Sequence, residues 1–203
     1  MKVKIFVLLG LLALITITLG WFLLSSSVSD DAKMAAVIAL KNSLGRNLKS
    51  GTLIIVDFTQ PSQSKRLAFM NIETGRIQFY ARVAHGKNSG DVYATKLSNI
   101  IGSLQSSTGL FEVTESFDGQ KGPSLRLKGL NPELNGNAEI RGIIIHSARY
   151  VSWDSIVLNW KEKFRLGRSD GCFALSNSDF QKLKISLVRP AYLYAYHDHE
   201  KLR

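Results

Sequence analysis

Three hydrophobic textures follow one another along the chain. Residues Ile5 to Leu24 are almost all apolar and uncharged, and Lys2 and Lys4 precede them. A run of about 20 such residues is long enough to cross a bilayer, with its basic flank kept on the inner side. Ser25, Ser27 and Ser29 are small residues of the kind beside which a signal peptidase cuts. Residues 1–27 therefore read as a signal peptide or a membrane anchor, and length favours the anchor. Residues 28–50 then place Met34, Val37, Ile38, Leu40, Leu44 and Leu48 at helical spacing, with Asp30 and Asp31 at the start and Lys49 near the end. That charge order suits a helix dipole, and the segment predicts an amphipathic helical lead-in.

From Thr52 the period shortens to that of strands. Leu53–Phe58, Arg66–Ile72 and Arg76–Val83 are strand-like runs, the last two flanking a turn at Glu73-Thr74-Gly75. Further strands are expected at Leu110–Glu115, Leu125–Leu127, Ile140–Ile145 and Tyr192–Tyr196. Ser176 is placed to cap a helix, with Asp179 three residues on and Phe180, Leu183 and Leu187 turned inward. Residues 84–109 form a Gly-, Ser- and Asn-rich stretch too long for an idle loop. The expected fold is mainly β with a few short helices, and residues 51–203 form one domain behind the N-terminal hydrophobic helix.

Composition changes the picture little. With 45% hydrophobic and 21% charged residues among 203, the chain is an ordinary folding sequence rather than a disordered one. The formal charge of +10 would fit nucleic acid, but an export segment argues against that partner. An anionic envelope surface is the better counter-charge, if the basic surface is more than a solvated face. The expected location is the cell envelope, outside the cytoplasmic membrane. The tail Tyr196-His197-Asp198-His199-Glu200 is dense in ligand-type residues, yet a chain end is a poor place for a metal site. No metal or cofactor is expected, and the sequence assigns no oligomeric state.

Cys172 is the one cysteine, so it has no partner for an intrachain disulfide. Gly171 before it permits a sharp turn that brings backbone N–H groups close to whatever the sulfur attacks. A nucleophilic thiol needs a base, and His146 ends the apolar run Gly142-Ile143-Ile144-Ile145 as an imidazole on a strand tip. A buried cysteine and a core histidine bonded to backbone remain the plainer alternatives for these residues.

The pairs His146-Ser147 and Ser169-Asp170-Gly171-Cys172 resemble the histidine and Ser/Thr-x-Gly-Cys elements of the murein L,D-transpeptidase catalytic domain family. A divergent branch of that family also resembles this chain at Ala84–Gly90, Ser98-Asn99, Gly102–Gly109, Ser124–Leu130 and Arg141–His146, in the same order. The resemblance covers roughly Leu53 to Tyr196 and implies a β-sandwich or barrel-like catalytic domain. It implies an exported acyltransferase acting on peptidoglycan stem peptides, with Cys172 as nucleophile and His146 as general base, then acid. Gly171, Ser147 and Ser169 would line the oxyanion site or orient the imidazole. Arg168 would meet a stem carboxylate, and His85 would be a turn histidine or, secondarily, a pocket contact.

Two positions depart from the family pattern. Asp170 stands where most members carry histidine, and Ala174 where asparagine or arginine is usual. An acid beside a thiol also disfavours the thiolate. A sortase-like cysteine transpeptidase and a catalytically inactive wall-binding module are the alternative functions. A papain-like peptidase fits less well, because its cysteine precedes its histidine.

Overall fold

A computed structural model of the chain describes residues 28–45, 49–158, 160–162, 165–166 and 168–198. The segment expected in residues 1–27, Leu48 of the expected lead-in helix, and His199 and Glu200 of the tail lie outside these residues. Among the described residues no helix is long and apolar enough to cross a membrane.

Eight strands form one barrel-like sheet: β1 (Thr52–Asp57), β2 (Leu67–Asn71), β3 (Ile77–Ala81), β4 (Gly109–Gly119), β5 (Gly122–Gly129), β6 (Ile144–Ser147), β7 (Phe173–Leu175) and β8 (Ala191–Tyr196). Their order across the sheet is β3-β2-β1-β8-β4-β5-β6-β7. Neighbours run antiparallel except β1 with β8 and β6 with β7. The chain just after β3 reaches the far end of the sheet, where the Ala84 N–H donates to Ala174 O at 2.9 Å. That bond joins the two ends.

Strand β1 is apolar without alternation because both of its faces are covered. Ile54 and Val56 join the inner core with Phe69, Phe111, Leu127, Phe173 and Leu193. Leu53 and Ile55 face the opposite way, beneath helix α1 (Asp30–Leu44). Ser29 caps α1, its hydroxyl accepting from Ala32 N at 3.2 Å. Ser29 also donates from N and Oγ to Asp57 Oδ2, at 2.9 and 2.7 Å. Thr59 donates to Oδ1 at 3.0 and 2.6 Å, so the buried Asp57 carboxylate is fully engaged.

The face of α1 differs from the expected one. Ala32, Ala36 and Leu40 are buried, whereas Met34 and Ile38 are exposed. Small residues let the helix lie close on the sheet, which outweighs the transfer energy of the larger side chains. The helix also stops at Leu44, where Gly45 takes φ 71°.

The hairpin at Glu73-Thr74-Gly75 joins β2 to β3 as expected, with Gly75 N donating to Asn71 O at 2.9 Å. Strand β6 is shorter than its apolar run, since residues 138–143 form a turn in which Ile143 N donates to Ala138 O at 2.9 Å and Ile140 is exposed. Helix α2 (Pro132–Asn135) precedes that turn, and α3 (Trp153–Leu158) follows β6. Helix α4 (Asn177–Ser186) starts at the Ser176 cap and sends Phe180 and Leu183 into the inner core. The spacing of Cys172 from the Ser176 cap predicts a loop that enters this helix directly. The three-residue strand β7 intervenes, and it is what places the cysteine.

Candidate active site

Strand pairing brings the histidine and cysteine segments side by side. In the parallel β6–β7 ladder Ile145 faces Phe173, and His146 faces Ala174. Side chains alternate across a strand, so Ile145 and Phe173 enter the inner core while Ala174 lies on the outer face. Cys172 ends the turn two residues before Ala174. Its Sγ donates to Gly142 O at 3.5 Å, and the Ile144 N–H also acts on the sulfur. His146 lies two residues beyond Ile144, about 6.6 Å along the strand. That interval is one that two side chains can span.

The turn itself is over-determined. Gly171 has φ +116°, and a Cβ there would meet Gln105 O at 2.8 Å and Ile143 Cδ1 at 3.0 Å. Ser169 Oγ donates to Cys172 O at 2.6 Å and accepts from Gly171 N at 3.2 Å. Ser169 thus closes the turn from within, and the Gly171 N–H is occupied rather than turned to the cleft. Ser106 Oγ donates to Gly171 O at 3.2 Å. Lys87 N donates to Ser169 O at 2.7 Å and Ser169 N to His85 O at 3.0 Å, a short parallel bridge to residues 85–87.

Arg141 locks the loop behind this turn. Its guanidinium donates to Ser98 O at 2.6 Å, to Ser103 Oγ at 3.2 Å, to Ser107 Oγ and to Gln105 O. Burial lowers the Arg141 pKa, and proximity to Cys172 partly restores it. The Ser-rich stretch singled out in the sequence is therefore a hydrogen-bonded backing for the cysteine turn.

Electrostatics leave both side chains, Cys172 and His146, neutral at pH 7. Cys172 is 4% exposed, and burial pushes its thiol upward; the Ile144 N–H and Lys121 pull the other way, ahead of a smaller opposing effect from Asp170. The acid beside the thiol is held as an ion pair, with Lys87 Nζ 2.9 Å from Asp170 Oδ1. His146 is 2% exposed, and burial lowers its pKa. Its Nδ1 lies 2.9 Å from Ser147 O. A carbonyl only accepts, so the proton sits on Nδ1 and Nε2 carries a lone pair. Among the described residues that buried Nε2 has no hydrogen-bond partner, the thiol included. A base with an unfilled acceptor site is an uncommon thing to bury.

An open cleft of about 310 Å³ exposes this face, lined by His146, Ser147, Tyr150, Arg168, Ser169, Asp170 and the basic residues Lys121 and Arg149. Tyr150 was not anticipated. Its hydroxyl is pushed up to about 12, first by burial and then by the nearby Cys172 and Asp170, so it remains a proton donor. Lys121 and Tyr150 carried no local signal beyond being polar residues near turns, and Arg141 was marked only as the first residue of the resembled run Arg141–His146. His85 does not line the cleft. It is 1% exposed, accepts from Arg66 Nη2 at Nδ1 (2.8 Å) and donates from Nε2 to Gly90 O (3.1 Å).

Among known proteins, the family model described as L,D-transpeptidase catalytic domain matches residues 25–196. The chain is similar in structure to an L,D-transpeptidase from Xylanimonas cellulosilytica, with 16% identity, TM-score 0.42, and 74% of this chain and 63% of that one covered. For an L,D-transpeptidase from Mycobacterium smegmatis the values are 11%, 0.43, 73% and 59%. For a cysteine-to-serine mutant of the Enterococcus faecium L,D-transpeptidase they are 11%, 0.44, 75% and 52%. The chain thus spans 52% to 63% of the length of these three. No curated protein sequence matches it.

Proposed function

The chain belongs to the L,D-transpeptidase catalytic domain family, and on that premise we propose that it is an exported cysteine acyltransferase of peptidoglycan stem peptides. The observation that carries the reading is the orphaned Nε2 of His146 on the strand paired with β7, two residues from Cys172. A wall-binding module has no use for a buried, unfilled base. The family match spans histidine and cysteine together and favours this reading over a sortase-like one.

Both groups start neutral. As Cys172 Sγ attacks the carbonyl before a terminal D-alanine, the thiol proton passes to His146 Nε2 and the S–C bond forms. The C–N bond then breaks, and the imidazolium returns that proton to the departing D-alanine amine. An acceptor amine, or water, attacks the thioester and restores the thiol. With the Gly171 N–H taken by Ser169, the Tyr150 hydroxyl, which lines the cleft and lies within electrostatic range of the sulfur, is assigned as a side-chain donor to the developing oxyanion. Ser147 O, rather than its hydroxyl, sets the imidazole tautomer. Residues Ile5 to Leu24 would deliver the domain to the outer side of the membrane, where the substrate and an anionic surface lie.

Intact-mass spectrometry tests the proposal. A stem tetrapeptide should add a tripeptidyl mass to the full chain and release D-alanine, and Cys172→Ser should show neither. An unmodified protein with no free D-alanine would overturn it.

A further inference from the structure

Arg168, the cation expected to meet a substrate carboxylate, lines the cleft, but the fold engages its Nη1 and pairs its charge with Asp91. Its Nη1 donates to Lys87 O at 3.0 Å, to Gly90 O at 3.2 Å and to Asp91 Oδ1 at 2.9 Å. It braces residues 87–91. Lys87 is engaged as well, by Asp170. The cleft keeps two further cations: Lys121, on the turn between β4 and β5, and Arg149, just beyond β6. Neither forms an ion pair among the described residues. Among the described residues Asp170 is the one carboxylate lining the cleft, and Lys87 neutralises it. The walls around His146 therefore carry uncompensated positive charge.

The chemistry says where a substrate anion would fall. If His146 Nε2 protonates the departing amine, that nitrogen must come within hydrogen-bond reach of it. In a leaving amino acid the α-carboxylate is only two bonds from the same nitrogen. A cation that shares the cleft with His146 is then placed to meet it. Lys121 also acts electrostatically on Cys172, His146 and Asp170, which puts its ammonium within range of the whole reaction centre.

We propose that Lys121 and Arg149 form a carboxylate-recognition subsite that selects donors whose leaving group is a single amino acid with a free α-carboxylate. Lys121 is the main specificity determinant. The inference rests on the acyl-donor reading of Cys172 and His146, and it predicts discrimination against donors whose chain continues, or is amidated, beyond the leaving residue.

Binding separates it from the catalytic claim. The full chain carrying Cys172→Ser is titrated by calorimetry with a stem tetrapeptide ending in free D-alanine, and with the same peptide ending in the carboxamide. The acid should bind about tenfold more tightly at low salt, a preference that shrinks as ionic strength rises. Adding Lys121→Gln and Arg149→Gln should make acid and amide bind equally, and Lys121→Arg should keep most of the preference. Equal binding of the two peptides before those substitutions, or a preference that survives them, would overturn the subsite. Acylation of the Cys172 protein is followed in parallel. A carboxylate preference without acylation would support the subsite and remove the acyltransferase reading alone.

Discussion

His85, which follows β3, and His146, on β6, are almost equally buried, at 1% and 2% exposure, and burial lowers the pKa of both. They differ in what their rings touch. Around His85 every polar atom is matched: Arg66 donates to Nδ1, and Nε2 donates to Gly90 O. Arg66 in turn donates to Val83 O and Gln60 O and lies 5.1 Å over the Phe58 ring. Around His146 the pattern stops halfway, with Nδ1 bonded and Nε2 open. A filled network holds loops in place, and an unfilled acceptor is free to take a proton. Burial alone does not distinguish a structural imidazole from a reactive one. On the proposed function, the hydrogen-bond inventory does.

The largest test of that contrast is catalytic. His146→Gln should slow acylation of Cys172 by about 10²- to 10⁴-fold, the range for a lost general base, whereas His85→Leu should leave the rate unchanged. Equal losses in the two variants, measured by the rate of mass gain, would erase the distinction. Stability should show the reverse. Arg66→Leu strands Val83 O, Gln60 O and His85 Nδ1 and should cost about 3 kcal/mol, read from denaturant midpoints; His146→Gln should cost far less.

Acid titration sharpens the comparison further. His85 is held down to about 3 by burial first and by the neighbouring Arg66 charge second. Between that value and the ordinary histidine range the unfolded chain binds more protons than the folded one, so stability rises with pH. It is complete above about 6.5 and is lost as pH falls toward 3. His85→Leu should flatten that slope while lowering Tm by about 2–4 °C per kcal/mol lost. A slope that is unchanged in the variant would assign the acid sensitivity elsewhere. The smallest effect concerns the thiol. Because burial raises its pKa, iodoacetamide labelling of Cys172 should be slow at pH 7 and should keep rising beyond the ordinary thiol range. Rapid labelling at neutral pH would mean a thiolate at rest instead of a neutral pair.

Much of the architecture was legible along the chain. The β1–β2–β3 runs, the Glu73-Thr74-Gly75 turn, β8 and the Ser176 cap all lie where local pattern put them, since short apolar runs bounded by turn residues, and helix caps, are encoded over a few residues. Strand β7 was missed because Phe173–Leu175 is three residues long and exists through its pairing with β6 and the bridge to Ala84. The inward face of α1 was misjudged because hydrophobicity ranks Met34 and Ile38 above the alanines that the sheet accepts.

Residue identity alone singled out Cys172 and His146, one a solitary thiol and the other an imidazole closing an apolar run. The placement of His146 on β6 beside the turn that carries Cys172, the Arg141-locked loop behind that turn, the bonds from Arg168 to residues 87–91 and the position of His85 outside the cleft lining all came from tertiary contacts. Those contacts join residues about 20 to 80 positions apart, as Arg66 to His85 and Arg168 to Lys87. Local sequence specifies which groups could react or bind. Whether a given donor or acceptor is already satisfied depends on partners brought in from elsewhere in the chain, and only the folded arrangement decides that.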